Sequence, residues 1–147
     1  MSLSKAALNM AEALRPVLVK LIPQKMLSAV KAKVIEKGAK TLIVEEEVEA
    51  PSDVTVIKVT DTRYAMAFIS AAYFGHPAKE LKTIGITGTK GKTTTTYMIR
   101  NVLEACGIKT GLIGTIETII GDESWASCNT TPESYQIHES FAKMVKA

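Results

Sequence analysis

The spacing of apolar residues divides the chain into two kinds of predicted element. Short apolar runs and alternating apolar positions predict β-strands, and such patterns lie within residues 41–47, 54–60, 83–87 and 109–120. Apolar residues three or four positions apart predict α-helices over residues 27–37, 62–75 and 132–146, and along the segment that carries Met98, Ile99, Val102 and Leu103. Strands that alternate with helices are typical of an α/β fold with a parallel sheet. We therefore predict that fold class.

Polar and small residues mark the ends of several predicted elements. Gly38 follows the helix predicted over residues 27–37 and is suited to cap its C-terminus. Asp61 or Thr62 can cap the N-terminus of the next helix. Pro51, Ser52 and Asp53 predict a turn between the strands at 41–47 and 54–60.

The polar, turn-rich stretch "GHPAKELK" covers residues 75–82 and predicts a linker at residues 76–82, after Gly75. It separates a first unit at residues 28–75 from a second unit at residues 83–147. Residues 1–27 form a further segment, basic, amphipathic and helical in pattern. Such a segment packs on its own domain or on a partner more often than it attaches to a membrane surface, and both interpretations stay open.

Composition and charge restrict the function classes. Hydrophobic residues make up 46% and charged residues 22% of the 147, as in a soluble globular protein. Residues 1–40 hold eight Lys or Arg and two acidic residues, a balance of +6, whereas the rest holds ten and thirteen, a balance of −3. Because aromatics do not alternate with these basic residues, nucleic acid is not an expected partner. No apolar run reaches the ~20 residues that span a bilayer, and no secretory signal is recognisable, so we expect no transmembrane segment and a cytoplasmic location.

The turn "GTKGKT", Gly88 to Thr93, carries the strongest functional signal. It lies between a predicted strand and a predicted helix, where glycines and free helix amides favour an anion such as phosphate. Lys92 would add a positive charge, and the Thr93 hydroxyl would help to coordinate Mg²⁺. The spacing is shorter than the usual G-x-x-x-x-G-K-[ST]. A Gly-Thr turn with merely solvated lysines is the alternative, and Thr94 could contact phosphate or simply begin the helix.

A second motif, "NTTPES", precedes the last predicted helix. Thr131 is a favoured N-cap residue, Pro132 suits the first helical position, and Glu133 suits the positive helix end. Thr130 has no such capping role. It would lie at the carboxyl ends of the strands, where an open α/β sheet usually binds its ligand.

These motifs together resemble a known family. "IGITGTKGKTTT", "GIKTGLIGT" and "NTTPES", in this order, resemble the central domain of the Mur ligase family, and within it the tripeptide synthetases that extend UDP-N-acetylmuramoyl-L-alanyl-D-glutamate. Residues 41–82 resemble the later part of that family's first domain. The likeness covers about residues 28–147. It implies a partial first domain followed by the start of a P-loop mononucleotide-binding central domain with a parallel sheet.

The resemblance also implies an activity and its ligands. Mur ligases are ATP-dependent enzymes of peptidoglycan synthesis, and hence of cell wall biogenesis, cell shape and cell division, that form an amide bond through an acyl phosphate. ATP and Mg²⁺ are the implied cofactors, and a UDP-N-acetylmuramoyl peptide is the implied substrate. The residues matching the ATP loop are Gly88, Thr89, Lys90, Gly91, Lys92, Thr93 and Thr94, with Thr93 as the metal ligand, and those matching the substrate segment are Thr130, Thr131 and Pro132.

The family pattern is only partly present, and no catalytic residue can be assigned. The family's Mg²⁺-binding glutamate, its carbamylated lysine and its C-terminal domain have no recognisable counterpart in these 147 residues. The resemblance thus implies a truncated relative that keeps the ATP-binding loop and is inactive alone. The truncation could be a shortened gene product, a mis-assembled reading frame or an engineered piece.

Two other function classes compete with this interpretation. One is a non-enzymatic nucleotide-binding or interaction module. The other is a folylpolyglutamate synthase-like ligase fragment, against which "NTTPES" argues. Whichever function is correct, the second unit has few predicted strands and helices. An open parallel sheet needs both of its faces covered. We therefore expect unburied apolar sheet surface in residues 83–147, and association with another chain or loose packing.

Overall fold

A computed structural model describes residues 18–19, 35–36, 38–127, 129 and 131–147. The chain forms two compact units, residues 1–68 and 69–147, each a mixture of helix and strand. Most of residues 1–27, the predicted basic helical segment, and most of the helix predicted over residues 27–37 lie outside the described residues.

The first unit contains a parallel sheet of three short strands. Strands β1 (Leu18–Val19), β2 (Thr41–Val44) and β3 (Thr55–Lys58) lie in that order, with Leu18 opposite Leu42 and Thr41 opposite Thr55. The strands predicted near residues 41–60 therefore pair with each other, as expected. Buried apolar side chains on and beside β2 make the core, namely Ala39, Leu42, Val44 and Val54.

Short-range features of the first unit agree with the sequence patterns. Helix α1 (Thr62–Tyr73) begins after Asp61, whose Oδ1 accepts a hydrogen bond of 2.9 Å from the Tyr64 amide, as in an N-cap. Gly38 has a φ of 87°, and its amide donates to the Ile35 carbonyl, the left-handed geometry of a helix C-terminus. Leu18 and Val19 are the exception, since they form a strand inside the segment for which we predicted helix.

The second unit combines two helices with an antiparallel sheet. A short 3₁₀ helix (Pro77–Lys79) is followed by α2 (Lys92–Ala105), by strands β4 (Gly111–Ile113), β5 (Glu117–Ile120) and β6 (Glu123–Ala126), and by α3 (Ser134–Lys146). The strands lie in the order β4-β5-β6. Leu112, Ile119 and Ile120 are buried. On α3, Met144 lies so close to β4 that a Cβ on Gly111 would be 2.5 Å from the Met144 Sδ atom.

The predicted parallel sheet of the second unit is wrong. Residues 83–87 form no strand, and β4 runs antiparallel to its neighbour β5. A parallel strand is stabilised only by strands beside it, and none of the described strands pairs with residues 83–87. The antiparallel pair β5–β6 forms locally instead, through a two-residue turn in which Gly121 takes a φ of 56°. Strand β6 was not predicted, although Gly-Asp between two short runs is a hairpin signal.

The exposed apolar surface of the second unit is also not where we predicted it. The sheet buries Leu112, Ile119 and Ile120, whereas α2 has no buried residue at all. The large exposed apolar side chains of residues 83–147 lie on α2, on α3, on β6 and in the connections, and they are Ile84, Met98, Val102, Ile108, Ile116, Trp125 and Val145. The unburied apolar surface is thus mostly on helices and connections, and of these seven residues Trp125 lies in the antiparallel sheet.

Candidate functional site

The turn before α2 has the backbone geometry that its glycines suggest. Gly88 has a φ of 150°, and Gly91 has a φ of 78° with a ψ of −5° in the left-handed region. A Cβ on Gly91 would meet nothing within 4 Å. Glycine is therefore favoured at this position by the backbone conformation alone, and not by a lack of space.

Gly91 is also the N-cap of α2, and it leaves the helix end open. Its carbonyl accepts the first helical hydrogen bond, 2.9 Å from the Thr95 amide. Glycine has no side chain to bond an amide of the first turn, so the amides of Lys92, Thr93 and Thr94 have no acceptor within the helix. The first turn of α2 contains no acidic residue. An anion at this end would thus meet free donors and the positive end of the helix dipole.

Lys92 closes the turn on itself. Its Nζ atom donates a 2.7 Å hydrogen bond to the Gly88 carbonyl oxygen, four residues earlier. The ammonium group is therefore held over the turn, within reach of whatever the free amides bind. The seven residues from Gly88 to Thr94 thus contain a positive charge, two glycines and three free helix amides.

The threonines around the turn differ in their surroundings. Thr93 is half-buried, while Thr89, Thr94 and Thr95 are exposed, as is Lys90. The Thr96 hydroxyl donates a 2.7 Å hydrogen bond to the Thr93 carbonyl, so it is used within the helix. Within the described residues, the hydroxyls of the predicted ligand residues Thr93 and Thr94 form no hydrogen bond of the kind that Thr96 makes.

The "NTTPES" segment does not cap α3 as predicted. The N-cap is Glu133, which is extended with a ψ of 158° and forms no side-chain capping bond. The helix begins at Ser134, and its first helical bond runs from the Ile137 amide to the Glu133 carbonyl. Because Glu133 is extended, exposed Thr131 and half-buried Pro132 lie outside the helix. Capping therefore does not explain these two residues, and Thr130 lies outside the described residues.

Polar contacts, which the sequence did not reveal, hold α2 beside the antiparallel sheet. The Tyr97 hydroxyl donates a 2.6 Å hydrogen bond to the Glu117 carboxylate on β5, and this bond raises the pKa of Tyr97. Arg100 forms an ion pair of 2.8 Å with Glu104, whose carboxylate also accepts a 2.7 Å bond from the Thr110 hydroxyl. No α2 residue is buried. The Tyr97–Glu117 and Thr110–Glu104 hydrogen bonds link the helix to β5 and to the residue before β4, whereas the Arg100–Glu104 pair lies within the helix.

The metal prediction rests on few protein ligands. No group of three or more His, Cys, Asp or Glu could hold a metal ion in the part of the chain that the structure describes. A hydroxyl such as that of Thr93 fits Mg²⁺, which prefers oxygen and commonly keeps waters and substrate phosphates as its other ligands. The residues thus fit a nucleotide-borne Mg²⁺ better than a free ion. Among the described helices, none is long and apolar enough to cross a bilayer.

Comparison with known proteins gives one family. Residues 86–147 match the model of the Mur ligase middle domain. The chain is 56% identical over 113 residues to the UDP-N-acetylmuramoyl-L-alanyl-D-glutamate–2,6-diaminopimelate ligase of Clostridium perfringens, over 77% of this chain and 23% of that protein. The ligases of the same name from Clostridium botulinum and Bacillus licheniformis are 47% identical over 116 residues (77% of this chain, 24% of the relative) and 48% identical over 110 residues (75% and 22%).

The match covers only part of this chain and only part of each relative. The chain spans about a quarter of the length of the curated relatives it matches. The matched middle-domain segment begins just before the glycine-rich turn and includes α2, the antiparallel sheet and α3. The likeness inferred from the turn and from "NTTPES" is therefore confirmed, and residues 86–147 of this chain match the middle domain of the Mur ligase family.

Proposed function

We propose that this chain is part of an ATP-dependent ligase of peptidoglycan synthesis that joins 2,6-diaminopimelate to UDP-N-acetylmuramoyl-L-alanyl-D-glutamate. The amino acid is taken from the names of the relatives, which are 47–56% identical in the aligned regions of the three proteins compared above. Their shared name favours this substrate over a folate. The cytoplasm stays the expected location.

In this proposal the turn from Gly88 to Thr94 binds the phosphates of ATP. The observation that carries it is the left-handed Gly91 at the start of α2, with the Lys92 ammonium 2.7 Å from the Gly88 carbonyl. On binding, Lys92 would exchange that carbonyl for a phosphate oxygen, which is the stronger, charge-assisted acceptor. The Thr93 hydroxyl would be the protein ligand of Mg²⁺, and the remaining contacts would come from Gly88, Thr89, Lys90, Gly91 and Thr94.

Thr130, Thr131 and Pro132 would contact the UDP-N-acetylmuramoyl peptide. Support comes from the start of α3 at Ser134, which leaves Thr131 and Pro132 without a capping role. A short non-helical segment in this position can offer a hydroxyl and backbone groups to a polar substrate.

The reaction proposed for the whole ligase explains what the turn would contribute to it, namely stabilisation of negative charge. The γ-phosphoryl group of ATP is transferred to the substrate carboxylate, the amine of the amino acid attacks the acyl phosphate, and inorganic phosphate leaves as the amide forms. Such transfer depends mainly on positioning and on stabilising negative charge. The amides of Lys92, Thr93 and Thr94 and the Lys92 ammonium supply that charge stabilisation, and no catalytic base is assigned.

Titration calorimetry with Mg-ATP tests the proposal on the 147-residue protein. We expect weak binding, and Lys92→Ala should weaken it about tenfold, because charge-assisted hydrogen bonds contribute about 1.5–3 kcal/mol. Lys82→Ala is the matched control, since it removes an exposed lysine of equal charge outside the turn. Equal affinities for the original protein and both variants would reject phosphate binding by the turn.

A further inference from the structure

The first turn of α3 packs against the residues that end and follow α1. Tyr135 is only 9% exposed, and its ring centroid lies 5.1 Å from that of Phe74 and 6.4 Å from that of Tyr73. The short 3₁₀ helix also contacts α3, and its first residue, Pro77, is buried. The start of the linker, residues 76–82, is therefore docked on α3 within the second unit.

His138 lies on the same side of α3 as Tyr135. The two residues are three positions apart, and residues at this spacing are neighbours on one helix face. The His138 ring meets the Phe141 ring edge to face, with centroids 6.1 Å apart. Its Nδ1 atom is buried and has no hydrogen-bond partner among the described residues.

This buried nitrogen makes protonation of His138 unfavourable. A neutral imidazole carries one N–H, whereas an imidazolium carries an N–H on both ring nitrogens. At Nδ1 the proton would create a buried donor without an acceptor, which destabilises the folded state. In agreement with this geometry, burial lowers the pKa of His138, and the charge of His76 lowers it further.

The charged groups around α3 do not offset these effects. Glu139, the neighbour of His138, pairs with Lys143 at 3.1 Å, and Glu117 on β5 accepts the hydrogen bond from Tyr97. Among the described residues, His76 is the group whose charge shifts the pKa of His138. The other titratable groups on α3 and on the segments that contact it are Tyr73, Lys79, Glu80, Lys109, Glu123, Glu133, Tyr135 and Lys146.

We propose that the linker is docked on α3 at neutral pH and is released when His138 takes up a proton. Release would let water reach Nδ1 and would separate the imidazolium from a protonated His76. Because the docked state binds fewer protons, docking is stabilised above the ordinary histidine pKa of about 6.5 and is weakened as the pH falls below it. This pH-sensitive contact does not depend on nucleotide binding by the turn.

Proton NMR of the histidine rings tests the first step on the 147-residue protein. The chain has two histidines, and His76→Asn and His138→Phe assign their signals. We expect His138 to titrate below about 6.5. His76→Asn should bring the pKa of His138 closer to that value, because it removes a like charge, and asparagine tolerates the left-handed φ of 58° at this position.

Hydrogen exchange tests the release itself. The Lys79 and Glu80 amides donate within and just after the 3₁₀ helix, and their protection factors correct for the intrinsic pH dependence of exchange. We expect these factors to fall at least about threefold between about pH 7.5 and about pH 5, while those of β5 stay unchanged. His138→Phe keeps an aromatic ring that cannot be protonated, so it should keep Lys79 and Glu80 protected at both pH values.

Either of two results would overturn the inference. The first is a His138 that titrates at or above about 6.5 in the original protein. The second is an equal loss of Lys79 and Glu80 protection at low pH in the original protein and in His138→Phe. If His138→Phe does not fold, His76→Asn replaces it in the second comparison: it should retain more protection at low pH than the original protein, and equal loss would again contradict the proposal.

Discussion

At the scale of single residues, Glu45 and Thr62 are joined by two hydrogen bonds in the first unit. Thr62 is only 5% exposed, yet it is polar. Its amide and its hydroxyl both donate to the Glu45 Oε1 atom, at 2.9 and 2.8 Å. The carboxylate thus satisfies the start of α1 while Asp61 caps the same end, so two acidic residues share the positive end of one helix. The first member of the run Glu45, Glu46 and Glu47 therefore has a structural role at the start of α1.

These donors determine how Glu45 titrates. The Thr62 amide, and next the Thr62 hydroxyl, lower the pKa of Glu45, and desolvation and the charge of Asp61 oppose them. Because the carboxylate is favoured in the folded state, its contribution to stability is present above the pKa of the unfolded chain. That contribution is lost as the pH falls through the lower pKa of the folded state.

We predict that Thr62→Val raises the pKa of Glu45 toward its ordinary value and reduces the acid dependence of unfolding, because one of the two donors is lost. Thr62→Ser keeps the hydroxyl and should titrate like the original protein. Side-chain carboxyl NMR over a pH titration measures this directly. An unchanged pKa of Glu45 in Thr62→Val would show that the hydroxyl does not stabilise the carboxylate.

At the scale of elements, the start of α2 depends on one backbone conformation. Gly91 and Gly85 both have open space where a Cβ would lie, but only Gly91 has a positive φ, of 78°. An alanine in the left-handed region costs about 1–2 kcal/mol. The two glycines therefore form a matched pair that separates conformation from packing.

Gly91→Ala is predicted to destabilise the second unit by about 1 kcal/mol, whereas Gly85→Ala should change its stability by much less. Urea unfolding followed by circular dichroism measures the difference. Equal effects of the two substitutions would mean that the left-handed conformation at Gly91 is not required.

Sequence patterns predicted those elements whose stabilising contacts are local. Helix α1 was predicted with its cap at Asp61 or Thr62, and Asp61 is the cap. A helix and its N-cap depend on neighbouring residues. The glycine turn was predicted for the same reason. Residues 83–87 were predicted as a strand and are not one, since strand formation depends on partners distant in sequence. The start of α3 was missed by two residues, because Thr131 and Pro132 are good capping residues whose backbone is not helical here.

At the scale of the whole molecule, we expect the 147-residue chain to bind a nucleotide but not to catalyse ligation. The turn needs only residues 88–94 to offer donors to a phosphate, but ligation needs ATP, a carboxylate and an amine held together, and such positioning supplies a large part of an enzyme's rate. The chain spans about a quarter of its relatives, and the described residues include no cluster of metal-binding carboxylates.

We therefore predict no detectable ADP release that depends on diaminopimelate when the 147-residue protein is given Mg-ATP and UDP-N-acetylmuramoyl-L-alanyl-D-glutamate. A coupled assay for ADP, with the full-length Clostridium perfringens ligase as the positive control, measures it. Amino-acid-dependent release by the purified chain, absent in Lys92→Ala, would contradict the expectation that these 147 residues are inactive alone.

The proposed function of the turn depends on where a nucleotide binds. Amide NMR of the labelled 147-residue protein, titrated with Mg-ATP, tests this most directly because each backbone N–H reports its own surroundings. We predict that the largest shifts fall on the amides from Gly88 to Thr94, above all on Lys92, Thr93 and Thr94 at the open end of α2. Saturable shifts confined to other residues, or no shifts at the turn at millimolar Mg-ATP, would contradict the assignment of this turn as the phosphate site.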